Sequence, residues 1–182
     1  MAEKKYKGRK AYLNDFWKNA QGEYEYQGNL YEWQGEKKEY LKHIGILLAC
    51  CMMMLTMLVL GTCLDAPGAF DCIYVMFPAA IGLVFGISAA WGLGRLCFAE
   101  YPMRAYIYEA TFQAIPFRSI GVMISAGITI AGELLYLLLH GAENMLTGAL
   151  ILLLAEGMGL LFAFFMKKTA KNMAKKMKKL SR

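Results

Sequence analysis

The chain has 182 residues, is 58% hydrophobic and carries a formal charge of +6. Its apolar residues come in blocks of about 18 or more rather than in the periodic patches of a water-soluble core, which points to a membrane protein. The charge is segregated: Lys and Arg divide as nine in residues 1–42, three in 43–166 and eight in 167–182, and the acids as seven, seven and none. These divisions set the expected organisation, a segment 1–42, a four-helix membrane domain 43–166 and a basic tail 167–182.

Five cysteines without a C-x-x-C pair or a His/Cys cluster give no zinc or redox centre, so neither a metal nor a cofactor is expected. The first apolar run begins near residue 44, behind a charged segment, and reads as a signal anchor rather than a cleaved leader.

Residues 1–22 are basic, with Lys4, Lys5, Lys7, Arg9 and Lys10 ahead of Tyr12, Leu13, Phe16 and Trp17. The last four share one side of a short helix that suits an anionic membrane surface; a cytosolic tail without fixed structure is the alternative. Residues 23–34 alternate strictly around Gly28-Asn29, which predicts a β-hairpin. The register would pair Tyr26 with Tyr31 and Tyr24 with Trp33, placing all four aromatics on one face, at the expense of Glu25 opposite Glu32. That face would be an interfacial aromatic belt or a docking element for a partner.

The first span is expected from His43 to Leu64. An acidic turn, Asp65 to Asp71, follows it, flanked by Cys63 and Cys72. Those two thiols would either bridge in an oxidising compartment or stay free. The second span, Ile73 to Phe98, has Gly82, Gly86, Ala90 and Gly94 at four-residue spacing, a small-residue face for close helix contact. Residues 99–118 carry Tyr101, Ala105, Tyr108, Phe112 and Ile115 on one face between Pro102 and Pro116, which predicts a separate amphipathic helix in the membrane interface.

The third span, Ser119 to Leu139, places Ser125, Thr129, Glu133, Tyr136 and His140 in one polar stripe at helical spacing. A short link through Glu143 makes the third and fourth spans an antiparallel pair. The fourth span, Met145 to Met166, contains Glu156. Lys167, Lys168, Lys171, Lys175, Lys176, Lys178 and Lys179 come after it, with Met166, Ala170, Met173, Met177 and Leu180 keeping a helical repeat among them. A basic amphipathic helix of this kind suits an anionic leaflet, and headgroups are preferred to nucleic acid as its partner.

Basic residues at both ends and around the second link, against acid-only outer links, predict four spans with both termini cytosolic. The fold class is thus an all-α, four-span helical bundle in the cell membrane, with the hairpin and the interfacial helix as accessories. Two carboxylates fall inside spans, Glu156 near the midplane and Glu133 roughly 7 Å nearer the outer surface, counting 1.5 Å per residue. Each costs roughly 2.5–3.5 kcal/mol to insert at mid-span, so each needs a reason. Three are open: Glu156 is neutral structural glue; Glu156 and Glu133 with Ser125, Thr129, Tyr136 and His140 line a path for a proton, cation or substrate; or Glu156 faces a cation on another membrane protein. No catalytic set emerges, since His43 and His140 lie at opposite ends of the bundle, and an enzyme is not expected. The sequence favours a non-catalytic accessory or assembly subunit, packed on itself or another membrane protein. A small oligomeric proton- or cation-coupled transporter or channel is the alternative.

Overall fold

The computed structural model describes residues 13–63, 71–141 and 146–180. The basic residues Lys4 to Lys10, Tyr12, the turn through residues 64–70 and Glu143 lie outside the described residues. Four helices are long and apolar enough to cross a membrane: α1 (Lys37–Cys63), α2 (Ile73–Cys97), α3 (Ala105–His140) and α4 (Leu146–Lys176). They pack in a ring in the order α1, α4, α3, α2, so each helix touches two others along its length. The chain is therefore a multi-pass membrane protein built on a four-helix bundle. Large apolar side chains such as Val84, Ile87, Trp91 and Leu138 face outward, as expected where lipid is the solvent.

The bundle is not all-helical. Five short strands stand at one end: β1 (Phe16–Lys18), β2 (Tyr24–Tyr26), β3 (Leu30–Trp33), β4 (Met103–Arg104) and β5 (Met177–Leu180). β1 pairs antiparallel with β2, and β3 is the centre of a second sheet in the order β4, β3, β5. This corrects three expectations. Phe16 and Trp17 are in a strand, so the surface helix proposed around them does not form there. The hairpin about Gly28-Asn29 does not form either: Glu25 stands opposite Trp17, and Glu32 stands opposite Lys178. The physical reason is in the charges, because the predicted register set Glu25 against Glu32, whereas the observed one gives Glu32 a cation. Finally, the tail is not one amphipathic helix to its end, since α4 stops at Lys176 and Met177–Leu180 pairs with β3.

The separate interfacial helix is also absent. Residues Ala105–His140 form one helix, with a π-helical turn at Glu109–Gln113. Pro116 lies within it, buried. Proline lacks an N–H and so releases the carbonyl four residues earlier, that of Phe112; the wide turn sits at that position and lets the helix continue. Much of the apolar face expected to meet lipid is packed against protein, although Tyr101 at its start stays exposed. Phe112 and Ile115 enter the core, Tyr108 stacks on Tyr31 with ring centroids 4.0 Å apart, and Tyr101 accepts a hydrogen bond from the Trp33 backbone N–H at 3.3 Å.

The same holds for the stripe in the tail, where Met166, Ala170 and Met173 are buried with Trp33 and Met103. Further bonds fasten this cap. Gln34 N–H donates to the Lys176 carbonyl at 2.8 Å and Ala105 N–H to the Asn29 carbonyl at 3.0 Å. Lys176 pairs with Glu39 and lies 5.4 Å from the Trp33 ring centroid. Burial pushes the Tyr26 and Tyr101 phenols up from their ordinary value. The segment before α1, the link between α2 and α3 and the end of α4 thus meet on one face of the bundle, called here the sheet end. That is the arrangement an even number of spans requires.

Candidate functional site

The polar stripe of α3 faces inward. Ser125, Thr129, Glu133 and Tyr136 are buried, and Glu156 of α4 is buried with them, 1% exposed. His140 lies at the surface at the end of the stripe, stacked on Tyr136 with ring centroids 4.4 Å apart. Tyr136 donates to Asp71 at the start of α2 across 3.5 Å. The stripe therefore runs from the far end of the bundle, at Asp71 and His140, into its interior.

Glycines fix how the helices meet along this stripe. Gly82 of α2 lies against Ser125, and a Cβ there would stand 2.8 Å from Ser125 Oγ. Gly132 of α3 lies against the Tyr74 carbonyl and Val75 of α2. Gly61 of α1 lies against α4, and a Cβ there would stand 3.2 Å from Leu152, 3.3 Å from Ala155 and 3.9 Å from Glu156 Oε1. Leu58 fills the space between Gly86 of α2 and Gly159 of α4, with its methyl carbons 3.5 and 3.3 Å from the Cβ positions of those glycines. The four-residue spacing of small residues in α2 holds as a contact face at Gly82 and Gly86, both buried, and at Ala90, partly buried against the core, and is lost at Gly94. Four residues overshoot a 3.6-residue turn by about 40°, so the row drifts off the contact face, and nothing lies within 4 Å of a Cβ at Gly94.

Leu58 divides the interior into two halves. Glu156 is three residues from Gly159, and Ser125 touches Gly82, four residues from Gly86. Both therefore lie about one turn beyond Leu58 toward the far end. Thr129 and Glu133 continue four and eight residues further along α3, which sets Glu133 roughly 12 Å beyond Glu156 along the bundle axis, wider than the 7 Å counted from the sequence. On the sheet side of Leu58 the interior is mostly apolar: Met54, Cys51, Leu47, Leu93, Val122, Ala163 and Met166 form one cluster that reaches Trp33, and the buried hydroxyls there, Ser119 and Thr111, donate to their own helix at the Ile115 and Ile107 carbonyls.

The hydroxyls of the stripe are used locally. Ser125 donates to the Val122 carbonyl at 2.9 Å and Thr129 to the Ser125 carbonyl at 3.0 Å. Their oxygens retain lone pairs, so the stripe offers acceptors to an incoming proton donor or cation. Tyr74 and Tyr136 stand within electrostatic reach of Glu133. Neither carboxylate oxygen of Glu156 has a hydrogen-bond partner among the described residues. Glu156 thus makes no interhelical hydrogen bond among the described residues, and its carboxyl is turned inward rather than toward the outer face of the bundle.

The other candidates are dispersed. Of the four aromatics expected on one face, Tyr24 is exposed, Tyr26 packs on Phe16 and Tyr106, Tyr31 on Tyr108, and Trp33 on Tyr40 and His43. Cys63 and Cys72 carry free thiols. Lys168, Lys171, Lys175, Lys178 and Lys179 are exposed, Lys167 is half-buried, and Lys176 is held by Glu39. The sequence did not single out Leu58 or Gly61 as lining; the signal was present in the small residues that face Leu58 from two helices. Among the described residues, no three His, Cys, Asp or Glu side chains group to hold a metal ion. No family model, no curated protein and no solved structure matches the chain.

Proposed function

We propose that this membrane protein binds and passes a proton or small cation through Glu156 and Glu133, as a small transporter or channel or as the ion-handling part of a larger transport assembly. The observation that carries this reading is Glu156 itself, enclosed in the bundle with no hydrogen-bond partner among the described residues. Negative charge in such an interior has to be accompanied by a cation, either a proton on the carboxyl or an ion beside it. The stripe supplies a route of entry from the far end: Asp71 and His140 at the surface, then Tyr136, Glu133 and Thr129, then Ser125 and Glu156. The apolar half beyond Leu58 is the barrier that keeps this route one-sided. With the basic sheet end cytosolic, the route opens to the outside of a cell membrane. The exposed lysines of the tail then lie near anionic headgroups, each contributing about 1 kcal/mol close to the surface.

The test is flux. Protein reconstituted in liposomes carries a proton, Na⁺ or K⁺ current that Glu156→Gln abolishes and Glu133→Gln reduces. No flux for any of the three ions, or flux unchanged in Glu156→Gln, contradicts the reading. The competing proposal is the non-catalytic accessory or assembly subunit, which draws support from the outward apolar faces of α2. It predicts a stoichiometric partner, or a second copy, in a mild-detergent pull-down from the native membrane, and recovery of the chain alone counts against it.

A further inference from the structure

A second polar feature lies outside the stripe, at the sheet end of the α2–α3 contact. Arg118 of α3 reaches across to Gly92 of α2, where a Cβ would stand 2.5 Å from Arg118 Nη1, so any larger residue displaces the guanidinium. Nη1 is shielded and has no hydrogen-bond partner among the described residues. The ion pairs among those residues are Arg104 with Glu100 and Lys176 with Glu39, and neither includes Arg118. Arg95 is three residues along α2 from Gly92, close to the same face as the glycine that Arg118 meets, and among the described residues it is the charged group that acts on Arg118. Arg95 lies 5.8 Å from the Trp91 ring centroid.

Two neighbouring guanidiniums at the edge of a low-dielectric medium, one with a shielded and unused N–H, are unfavourable alone. An anion between them removes the repulsion and takes up the unused donor. Guanidinium forks match phosphate oxygens, and charge-assisted bonds of this kind are about twice as strong as neutral ones. The apolar surroundings identify the source of the phosphate. Val84, Ile87 and Trp91 form an exposed row on α2 leading away from Arg95 toward the far end, and Phe117 is exposed beside Arg118. A free phosphate has no use for that row, whereas an acyl chain lies along it. Arg95 is two residues from the end of α2, at the depth where headgroups meet the apolar layer.

We infer that Arg95 and Arg118 clamp the phosphate of an acidic phospholipid in the cleft between α2 and α3, with the acyl chain along Val84, Ile87 and Trp91. The site is separate from the Glu156 stripe, so either proposal can fail without the other. The test uses the full chain in detergent and native mass spectrometry, titrated in turn with phosphatidylglycerol, phosphatidylcholine and inorganic phosphate. The first phosphatidylglycerol binds about tenfold more tightly than phosphatidylcholine, Arg95→Gln and Arg118→Gln each remove that preference, and Lys168→Gln in the tail leaves it intact. Arg95 is exposed, so Arg95→Gln carries the test even where Arg118→Gln does not fold. Equal binding of the two lipids overturns the inference, as does an unchanged preference in Arg95→Gln. Inorganic phosphate displacing the first phosphatidylglycerol at comparable concentration overturns the lipid assignment.

Discussion

Leu58 separates the polar half of the interior from the apolar half, and the glycines around it make that division open to mutation. Gly159 has Leu58 as its neighbour, and a Cβ there meets it at 3.3 Å. Gly159→Val therefore overpacks the layer and lowers stability by about 1–3 kcal/mol, read as a fall in the melting temperature of the detergent-solubilised protein. Gly94→Ala is the matched control, because nothing lies within 4 Å of its Cβ position, and it leaves the melting temperature unchanged or raised. Trp33 anchors the opposite end. It is 4% exposed, yet its indole N–H has no hydrogen-bond partner among the described residues. Trp33→Phe keeps most of the apolar contact without that unused donor and is tolerated, whereas Trp33→Ala costs about 3–5 kcal/mol. Equal loss in both variants, measured by thermal unfolding, would place the importance of Trp33 in its N–H instead.

At the scale of elements, the sheet is what sequence reasoning could not reach. The four spans were legible because each is a continuous apolar run, and the stripe from Ser125 to His140 was legible because its spacing is that of a single helix. β3 pairs with residues more than 70 and more than 140 positions away, and no local period encodes such a partner. The alternation from Glu23 to Gln34 was correctly a strand signal, but it named the wrong neighbour, since Gly28-Asn29 offered a nearer one. Pro116 likewise read as a boundary because the compensating π turn leaves no sequence period. The Glu32–Lys178 pairing can be tested by charge exchange. Glu32→Lys weakens the cap and Lys178→Glu restores it, with a coupling of roughly 0.2–1 kcal/mol in a double-mutant cycle. Tyr26 and Tyr101 add a pH dependence. Their phenols are raised by burial, so their contribution is complete at neutral pH and is lost as pH rises through the raised value. Hydrogen exchange at residues 30–33 should quicken under strongly alkaline conditions before exchange in the middle of α3 does, once both are corrected for the intrinsic effect of pH.

For the whole molecule, one-sidedness is the property from which transport would follow. Polar groups reach from the far end to Glu156, and from Leu58 to Trp33 the bundle is filled mainly by apolar side chains, with the Ser119 and Thr111 hydroxyls bonded to their own helix. In a background with the five native cysteines replaced, Thr129→Cys should react with a small, membrane-impermeant thiol reagent applied at the far end. Leu47→Cys should react from neither side. Reaction of Leu47→Cys as readily as Thr129→Cys would mean that the apolar half is not a seal. The central claim is narrower, that the Glu156 carboxyl gains and loses a proton or holds a cation within the bundle. Infrared difference spectroscopy of the reconstituted protein measures that carboxyl directly. The account predicts a carboxyl band that changes with pH, or on adding Na⁺ or K⁺, and that disappears in Glu156→Gln. A carboxyl spectrum identical in wild type and Glu156→Gln under all of these conditions would contradict it.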